Sequence, residues 1–467
     1  MNVLLINICL RPNSKKIIFP IGFGYIATAV EEAGFDFEIL DLDTLRLSNE
    51  EIEDYIKKTD FDVVAFGCIV TGYRYVKELT ELIKKYKDVP IIIGNSVATS
   101  IPEILLKNTK AYIGVMGEGD ITIVELLKAI ENKTSLEDVK GIFFRKNGET
   151  FFTPERELIP NLDELPFINH KLFDMKTYLD KYKFNVSEPY PIKFDLIKAL
   201  PINTARGCPY NCTFCYHVFK NKRYRTRSKE NICKEIKYLQ KEYGLNYVQF
   251  FDELTFFSKK QASDFADYLL KEKIEVFWSA DCRVGLFGEN DLDLALKLKE
   301  AGCVEFGYSL ESADEEILKA MNKKIKVDDF MTQTRVLQKA GILASTSLVI
   351  GYPQETEETI NKTFDCCYEC DAYPSMGYLL PQPGTPMYEY AIKTGKIKDE
   401  EDFLLKIGDR QDFTINLTNM KQERIEELVK GHLKRIAEKL SLGLDESRLI
   451  KTEHYKQKDG HHRVLST

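Results

Sequence analysis

The run Thr204-Ala-Arg-Gly-Cys-Pro-Tyr-Asn-Cys-Thr-Phe-Cys215 places Cys208, Cys212 and Cys215 in the spacing C-x-x-x-C-x-x-C. A loop this tight can present three thiolates to three corners of one iron–sulfur cube. A 4Fe–4S cluster usually takes four cysteines, and no obvious fourth follows. One iron would then stay open to a substrate or cofactor. A zinc knuckle completed by His217 is the competing reading. Structural zinc prefers four tetrahedral ligands, commonly as two separated pairs. The triple follows a predicted strand over 201–205 and precedes a predicted helix. Whichever metal it binds, the loop belongs at the end of a β/α unit.

The rest of the chain narrows the class. Its 467 residues are 44% hydrophobic and 30% charged, as in a folded protein of two or three domains. The net charge of −8, without a long basic block, argues against nucleic acid as the main partner. No run of 18 apolar residues is present, so no membrane span is expected. Met1-Asn-Val-Leu-Leu-Ile-Asn7 lacks the basic start and cleavage site of a signal peptide and reads as a first buried strand. Eleven cysteines in so long a chain do not make a disulfide framework. An oxygen-sensitive cluster would need a reducing, anaerobic cytoplasm.

Strands and helices alternate in two stretches. In the first, strands are predicted at 3–7, 36–40, 63–67, 91–94 and 112–115, with helical patterns between them. That alternation argues for a doubly wound parallel sheet, whose ligands bind outside the carboxyl ends of the strands. Gly22-Phe-Gly-Tyr-Ile-Ala27 fits a dinucleotide fingerprint. Yet it stands far from the first strand, where such a glycine should follow immediately. In the second stretch, strands are predicted at 202–205, 247–251, 276–280, 304–309, 344–350 and 377–380. Catalytic groups in such barrels gather at the carboxyl ends of strands.

The cysteine run, with Gly207-Cys-Pro209 at its start and Phe214 inside it, resembles that of radical S-adenosylmethionine (SAM) enzymes. The second stretch resembles their partial (β/α)6 barrel. Four loops of the first stretch resemble the Rossmann-like cobalamin-binding domain that precedes this barrel in one subfamily. They are Pro20–Gly24, with Gly22 and Gly24; Gly67–Tyr73, with Thr71, Gly72 and Tyr73; Gly94–Thr99, with Gly94, Ala98 and Thr99; and Val115–Asp120, with Gly117, Glu118 and Gly119. Asn95 replaces the second glycine of the third loop. Small residues let backbone approach a bulky planar ligand. Residues 1–169 contain no histidine, so no imidazole from this stretch could coordinate cobalt. The lower face would meet Thr71, Gly72 and Tyr73.

The resemblance also implies roles in the barrel. Asp252 and Glu253 stand where the family contacts the methionine amino group of SAM. Arg283 closes a W-x-x-x-x-R pattern from Trp278 and could pair with the SAM carboxylate. Glu311 and Ser312, in the G-x-E-S region, could bond its ribose or amino groups. Gly351-Tyr-Pro353 and Pro381–Tyr388 are expected to be shape-setting turns. Cys366, Cys367 and Cys370 read as core thiols.

The expected organisation is a cobalamin-binding domain at 1–140, a proline-rich linker at 141–195, a radical SAM core at 196–395 and a small, mainly helical C-terminal domain at 396–467. The tail is expected to close over substrate, and its His461-His462 to be incidental. The implied cofactors are a 4Fe–4S cluster, SAM and methylcobalamin. The implied reaction is methylation of an unactivated carbon after hydrogen abstraction by a 5′-deoxyadenosyl radical. The alternative is a non-methylating rearrangement or cyclisation. The substrate would be a peptide, protein, lipid or small metabolite, and the electron donor a protein such as ferredoxin or flavodoxin.

Overall fold

The computed structural model describes residues 1–450; His461 and His462 lie outside them. Strands β1 (Asn2–Asn7), β2 (Asp36–Asp41), β3 (Val63–Gly67), β4 (Ile91–Gly94) and β5 (Ile113–Val115) are parallel. They form a sheet of order β2-β1-β3-β4-β5. Successive side chains serve opposite cores. Leu4, Ile6, Val64, Phe66, Ile91 and Ile93 face one core, and Val3, Leu5, Val63, Ala65 and Ile92 the other. Helices on both faces explain why these strands are continuously apolar. Burying each such side chain stabilises by about 1.5–3 kcal/mol.

The stretch expected to be linker opens with a hairpin, β6 (Ile142–Lys146) and β7 (Glu149–Phe152). It extends the first sheet in antiparallel fashion. Beyond it, Tyr182, Val186 and Ile197 pack with Ala199 and Tyr247. This packing plugs the amino end of the second sheet.

That second sheet holds β8 (Ala199–Ile202), β11 (Tyr247–Phe250), β12 (Phe277–Asp281), β13 (Cys303–Glu311), β14 (Leu343–Ile350) and β15 (Ser375–Tyr378). All are parallel, in the order β15-β14-β13-β12-β11-β8. Between β8 and β11 lies a two-stranded ribbon, β9 (Ala205–Arg206) and β10 (Arg225–Thr226). The sequence reading ran the first barrel strand on to Ala205. The chain instead leaves the barrel after Ile202 and pairs with β10. The outer layer is helical, and the fully buried Trp278 of β12 packs beneath it, its indole N–H donating to the Ala301 carbonyl at 2.8 Å.

Among the described residues the tail divides: residues 407–417 reach the carboxyl ends of β14 and β15, where Phe413 stacks on Tyr378 with ring centroids 4.2 Å apart and Asp409 pairs with Arg11 at 3.5 Å. Helix Gln422–Lys439 packs on helix Glu357–Glu369 of the outer layer. His432 stacks on Phe364 there, with ring centroids 5.0 Å apart. Helix Glu400–Lys406 turns back to the first sheet, where Glu401 pairs with Lys77 at 2.6 Å. Cys366, Cys367 and Cys370 are buried in the apolar core.

Candidate active site

Residues 207–224 form a loop whose neck is the β9–β10 ribbon. It carries the three motif cysteines, all free of disulfides. Gly207 opens it at φ 90°, a conformation side chains rarely adopt. Lys220 donates to the Cys215 carbonyl at 2.8 Å, folding the loop onto itself. Thr213 donates its backbone N–H to Met321 at 3.0 Å and its hydroxyl to Ala320 at 2.9 Å. These bonds pin the loop to helix Glu315–Ala320 after β13.

Cys215 keeps an exposed surface, yet the protein atoms packed around its thiol and the neighbouring thiols push it up to about 12. Only a metal would hold such crowded thiols as thiolates. Structural zinc takes four convergent ligands, commonly as two separated pairs, whereas a cube takes one thiolate per iron at separate corners, and the loop offers three free cysteines. The donor set fits an iron–sulfur cube with three protein ligands.

The residues read as SAM contacts divide. Asp252 accepts from Asn203 Nδ2 at 2.8 Å, Thr204 N at 2.7 Å, Thr204 Oγ1 at 2.6 Å, Ala205 N at 2.9 Å and Thr255 Oγ1 at 3.0 Å. With both oxygens engaged, it braces the base of the cluster loop, which corrects its assignment to SAM. Ser312 is fully buried and accepts from Asp314 N at 3.1 Å. It too is structural, supporting the start of the next helix.

The other three are engaged differently. Glu253 opens at the barrel mouth and accepts from Gly207 N at 3.2 Å. Glu311 ends β13 at φ 62° after a register shift, and pairs with buried Lys323 at 2.9 Å. Holding a non-glycine residue there costs about 1–3 kcal/mol, and such strain gathers at ligand clamps. Arg283 stacks on Tyr210 of the cluster loop, 3.6 Å from the ring centroid. Its Nη2 is buried without a hydrogen-bond partner. An orphaned cationic donor beside this loop suits a carboxylate.

The loops at the carboxyl ends of the first sheet also divide. A Cβ at Gly22, Gly94 or Gly117 would meet nothing within 4 Å. Thr99 borders the same opening and accepts from Gly117 N at 3.3 Å. Thr71 is half-buried in the short turn Val70–Gly72. This open, side-chain-free cradle fits a corrin. Asn95 takes φ 68°, so it keeps the backbone of the glycine it replaces.

The remaining loop residues are engaged in packing. A Cβ at Gly24 would come 2.9 Å from Ile168, at Gly119 2.8 Å from Ile26, and at Gly72 2.3 Å from Cys68 Sγ. Ala98 is fully buried. Tyr73 is buried with its hydroxyl 3.2 Å from Glu401, so its ring belongs to the core and not to a cofactor face. Glu118, expected in a ligand loop or in solvent, is buried against two arginines. The dinucleotide decoy resolves likewise. Helix Ile21–Glu32 starts well after β1, and Asp41 is occupied by Asn7 at 2.7 Å and Tyr178 at 2.6 Å.

The barrel lumen supplies residues that sequence reasoning missed. Gln249, Ser279, Asp281, Glu305, Ser309, Ser345 and Ser347 alternate with the residues packed on the helices. Ser309 and Ser347 bond across strands at 3.1 Å, and Ser345 bonds Glu305. Strand periodicity could have flagged this polar face, since polar residues recur at every second position. Asp281 ends β12 with its surface open to the barrel mouth, yet the protein atoms packed around its carboxyl and the charges of Glu305 and Asp252 push it up to about 7. The unfolded chain releases that proton in the ordinary carboxylate range. Stability therefore falls as pH rises between about 4 and 7, and stays lowered above. Because solvent reaches Asp281 and screens these charges, Asp281→Asn is expected to melt higher than the parent by at most about 2 °C at pH 8. The gap should close as pH falls toward 4, as thermal unfolding across that range will read; a pH-independent gap would contradict this origin.

The two halves meet at these sites. Tyr216 of the cluster loop lies against Gly384, whose other neighbour is Ser100 just beyond β4. A three-thiol loop on a partial barrel, facing an open cradle on a doubly wound sheet, defines the cobalamin-dependent radical SAM enzymes.

Comparison with known proteins agrees. Residues 202–367 match the radical SAM superfamily and residues 9–127 the B12 binding domain. An uncharacterised methyltransferase of Pyrococcus horikoshii is 30% identical over 403 residues, 84% of each chain. The anaerobic magnesium-protoporphyrin IX monomethyl ester cyclase of Cereibacter sphaeroides is 24% identical, over 79% of this chain and 60% of its own. The radical SAM methyltransferase TsrM of Kitasatospora setae, solved with cobalamin and a [4Fe-4S] cluster, shares the fold. Its TM-score is 0.67 at 20% identity, over 85% of this chain and 78% of that one. The chain belongs to the cobalamin-dependent radical SAM methyltransferase family, enzymes whose cofactors are a 4Fe–4S cluster, SAM and cobalamin. Among the described residues, no helix is long and apolar enough to cross a membrane.

Proposed function

We propose that this enzyme methylates an unactivated carbon of a polar small metabolite or peptide. When bound, the reduced cluster with SAM supplies a hydrogen-abstracting radical and cobalamin supplies the methyl group. The chain's own part is placement. Cys208, Cys212 and Cys215 would hold three corners of the cluster. Arg283 and Glu253 would orient the carboxylate and ammonium of SAM, with Glu311 beside them. Gly22, Gly94 and Gly117 leave the strand ends bare for a corrin. The enclosed lumen would keep substrate in reach and bulk water out.

The observation that carries this reading is the meeting of cluster loop and cradle, which gives two cofactor sites one shared opening. The lumen narrows the substrate. A hydrocarbon would take the lumen carboxylates Asp281 and Glu305 out of water without offering them a hydrogen bond, which favours a metabolite or peptide over a lipid. Reducing electrons would come from a small redox protein such as ferredoxin or flavodoxin, in the cytoplasm.

The test is product analysis. Anaerobically reconstituted enzyme is incubated with candidate polar metabolites and methyl-labelled SAM. Labelled product is expected, with S-adenosylhomocysteine and 5′-deoxyadenosine in matching amounts. 5′-Deoxyadenosine with an unlabelled, rearranged product would replace this reading by the non-methylating one, which the named cyclase relative favours.

A further inference from the structure

Two arginines at the neck of the cluster loop converge on two carboxylates from the cradle side. Arg206 Nη1 donates to Glu118 Oε1 at 2.8 Å and to Asp120 Oδ2 at 2.9 Å, and its Nη2 to Asp120 Oδ1 at 3.0 Å. Arg225 Nη1 donates to Glu118 Oε1 and Oε2 at 2.9 and 3.0 Å, and to the Ile159 carbonyl at 2.6 Å. Ile159 N donates back to Glu118 Oε2 at 2.8 Å. Tyr25 covers Arg206, 5.3 Å from its ring centroid. None of the four charged side chains is more than 10% exposed.

Stability alone does not account for this arrangement. Removing four charges from water costs about what their attraction returns, and well-packed apolar residues often do as well or better. Arg225 even keeps Nε and Nη2 buried without partners, a further unfavourable contribution. What the network does provide is direction. A fork-shaped guanidinium bound to a carboxylate through two parallel bonds fixes distance and angle together. The covalent path through it is short. Glu118 follows Gly117, whose bare backbone borders the cradle. Arg206 lies two residues before Cys208. Arg206 and Arg225 also face each other across the ribbon, so both limbs of the loop are held at one point.

We propose that Arg206, Arg225, Glu118 and Asp120 are positioning residues that fix the spacing between the cluster and cobalamin. This rests on both cofactors lying at the loops described above. It sets how far a substrate carbon sits from each, and a 1 Å error in such a distance can cost about a hundredfold in rate.

The test compares the parent holoenzyme with Arg206→Lys and Asp120→Asn, which lose the two-bond fork but keep side-chain size. Iron and cobalamin content are measured first. Pulsed electron paramagnetic resonance then reads the distance between Co(II) of cobalamin and the reduced cluster. The expected result is near-parental content of both cofactors, with a distance distribution shifted or at least about twice as broad in each variant. A distribution unchanged in both would overturn the proposal. So would loss of both cofactors from both variants, because the clasp would then be holding the fold. The readout needs no substrate, so failure to find a methylated product would leave it intact and count only against the methylation reading.

Discussion

Cys212→Ala is expected to abolish both the cluster and SAM cleavage. Cys212 is the middle ligand of a loop already tied down by Thr213 and Lys220, so no other thiol can move into its place. Two corners would not retain a cube built for three. After anaerobic reconstitution, iron per chain should fall at least about tenfold, the brown absorbance should vanish, and 5′-deoxyadenosine should not form. Retained SAM cleavage would refute the ligand assignment. Cys366→Ala is the control. That thiol packs in the core, so its loss should leave the iron content near the parent's.

Gly94→Phe is expected to lower cobalamin content about tenfold while leaving the cluster in place. Gly94 caps β4 in extended backbone, φ −121° and ψ −171°, and open space surrounds its Cα. A Cβ there adds no backbone strain and meets no protein atom within 4 Å, so the ring beyond it is expected to project into the proposed cradle. Gly117 is a less clean site. Its φ of 70° would add strain, and Glu118 beside it belongs to the arginine network. Cobalamin and iron per chain, measured together, give the answer. Undiminished cobalamin with Gly94→Phe would remove the corrin from this face.

Much of this architecture is legible in the sequence because strand ends carry punctuation. β3 and β4 end on Gly67 and Gly94 as the pattern predicts, and the cysteine spacing survives any uncertainty about nearby strands. What the sequence could not give is side-chain direction. Asp252 and Ser312 occupy motif positions, yet one fills its oxygens with neighbouring donors and the other supports a helix. Tyr73 and Gly72 sit in the expected loop but turn into the core. Arg206 was in view, two residues before the first cysteine, but its partners lie 86 and 88 positions away. Only the fold brings them together. The β6–β7 hairpin escapes sequence reading because its turn, Asn147-Gly148, stands just ahead of the prolines at 154, 160 and 166 that suggest a linker.

The plug below the second sheet has a consequence for what can be modified. Tyr182 bonds Gln249 at 2.5 Å and Ser187 bonds Glu305 at 3.1 Å, sealing the floor from the side of the amino ends. The partial barrel is therefore floored at its amino ends, while its edge strands β8 and β15 stay unpaired with each other. A long polymer cannot thread from one end of the strands to the other, so a chain terminus, a protruding side group or a whole small molecule suits the reacting depth. Whatever enters from the carboxyl ends of the strands would pass the proposed corrin cradle on the way in, and its product would pass it again on the way out.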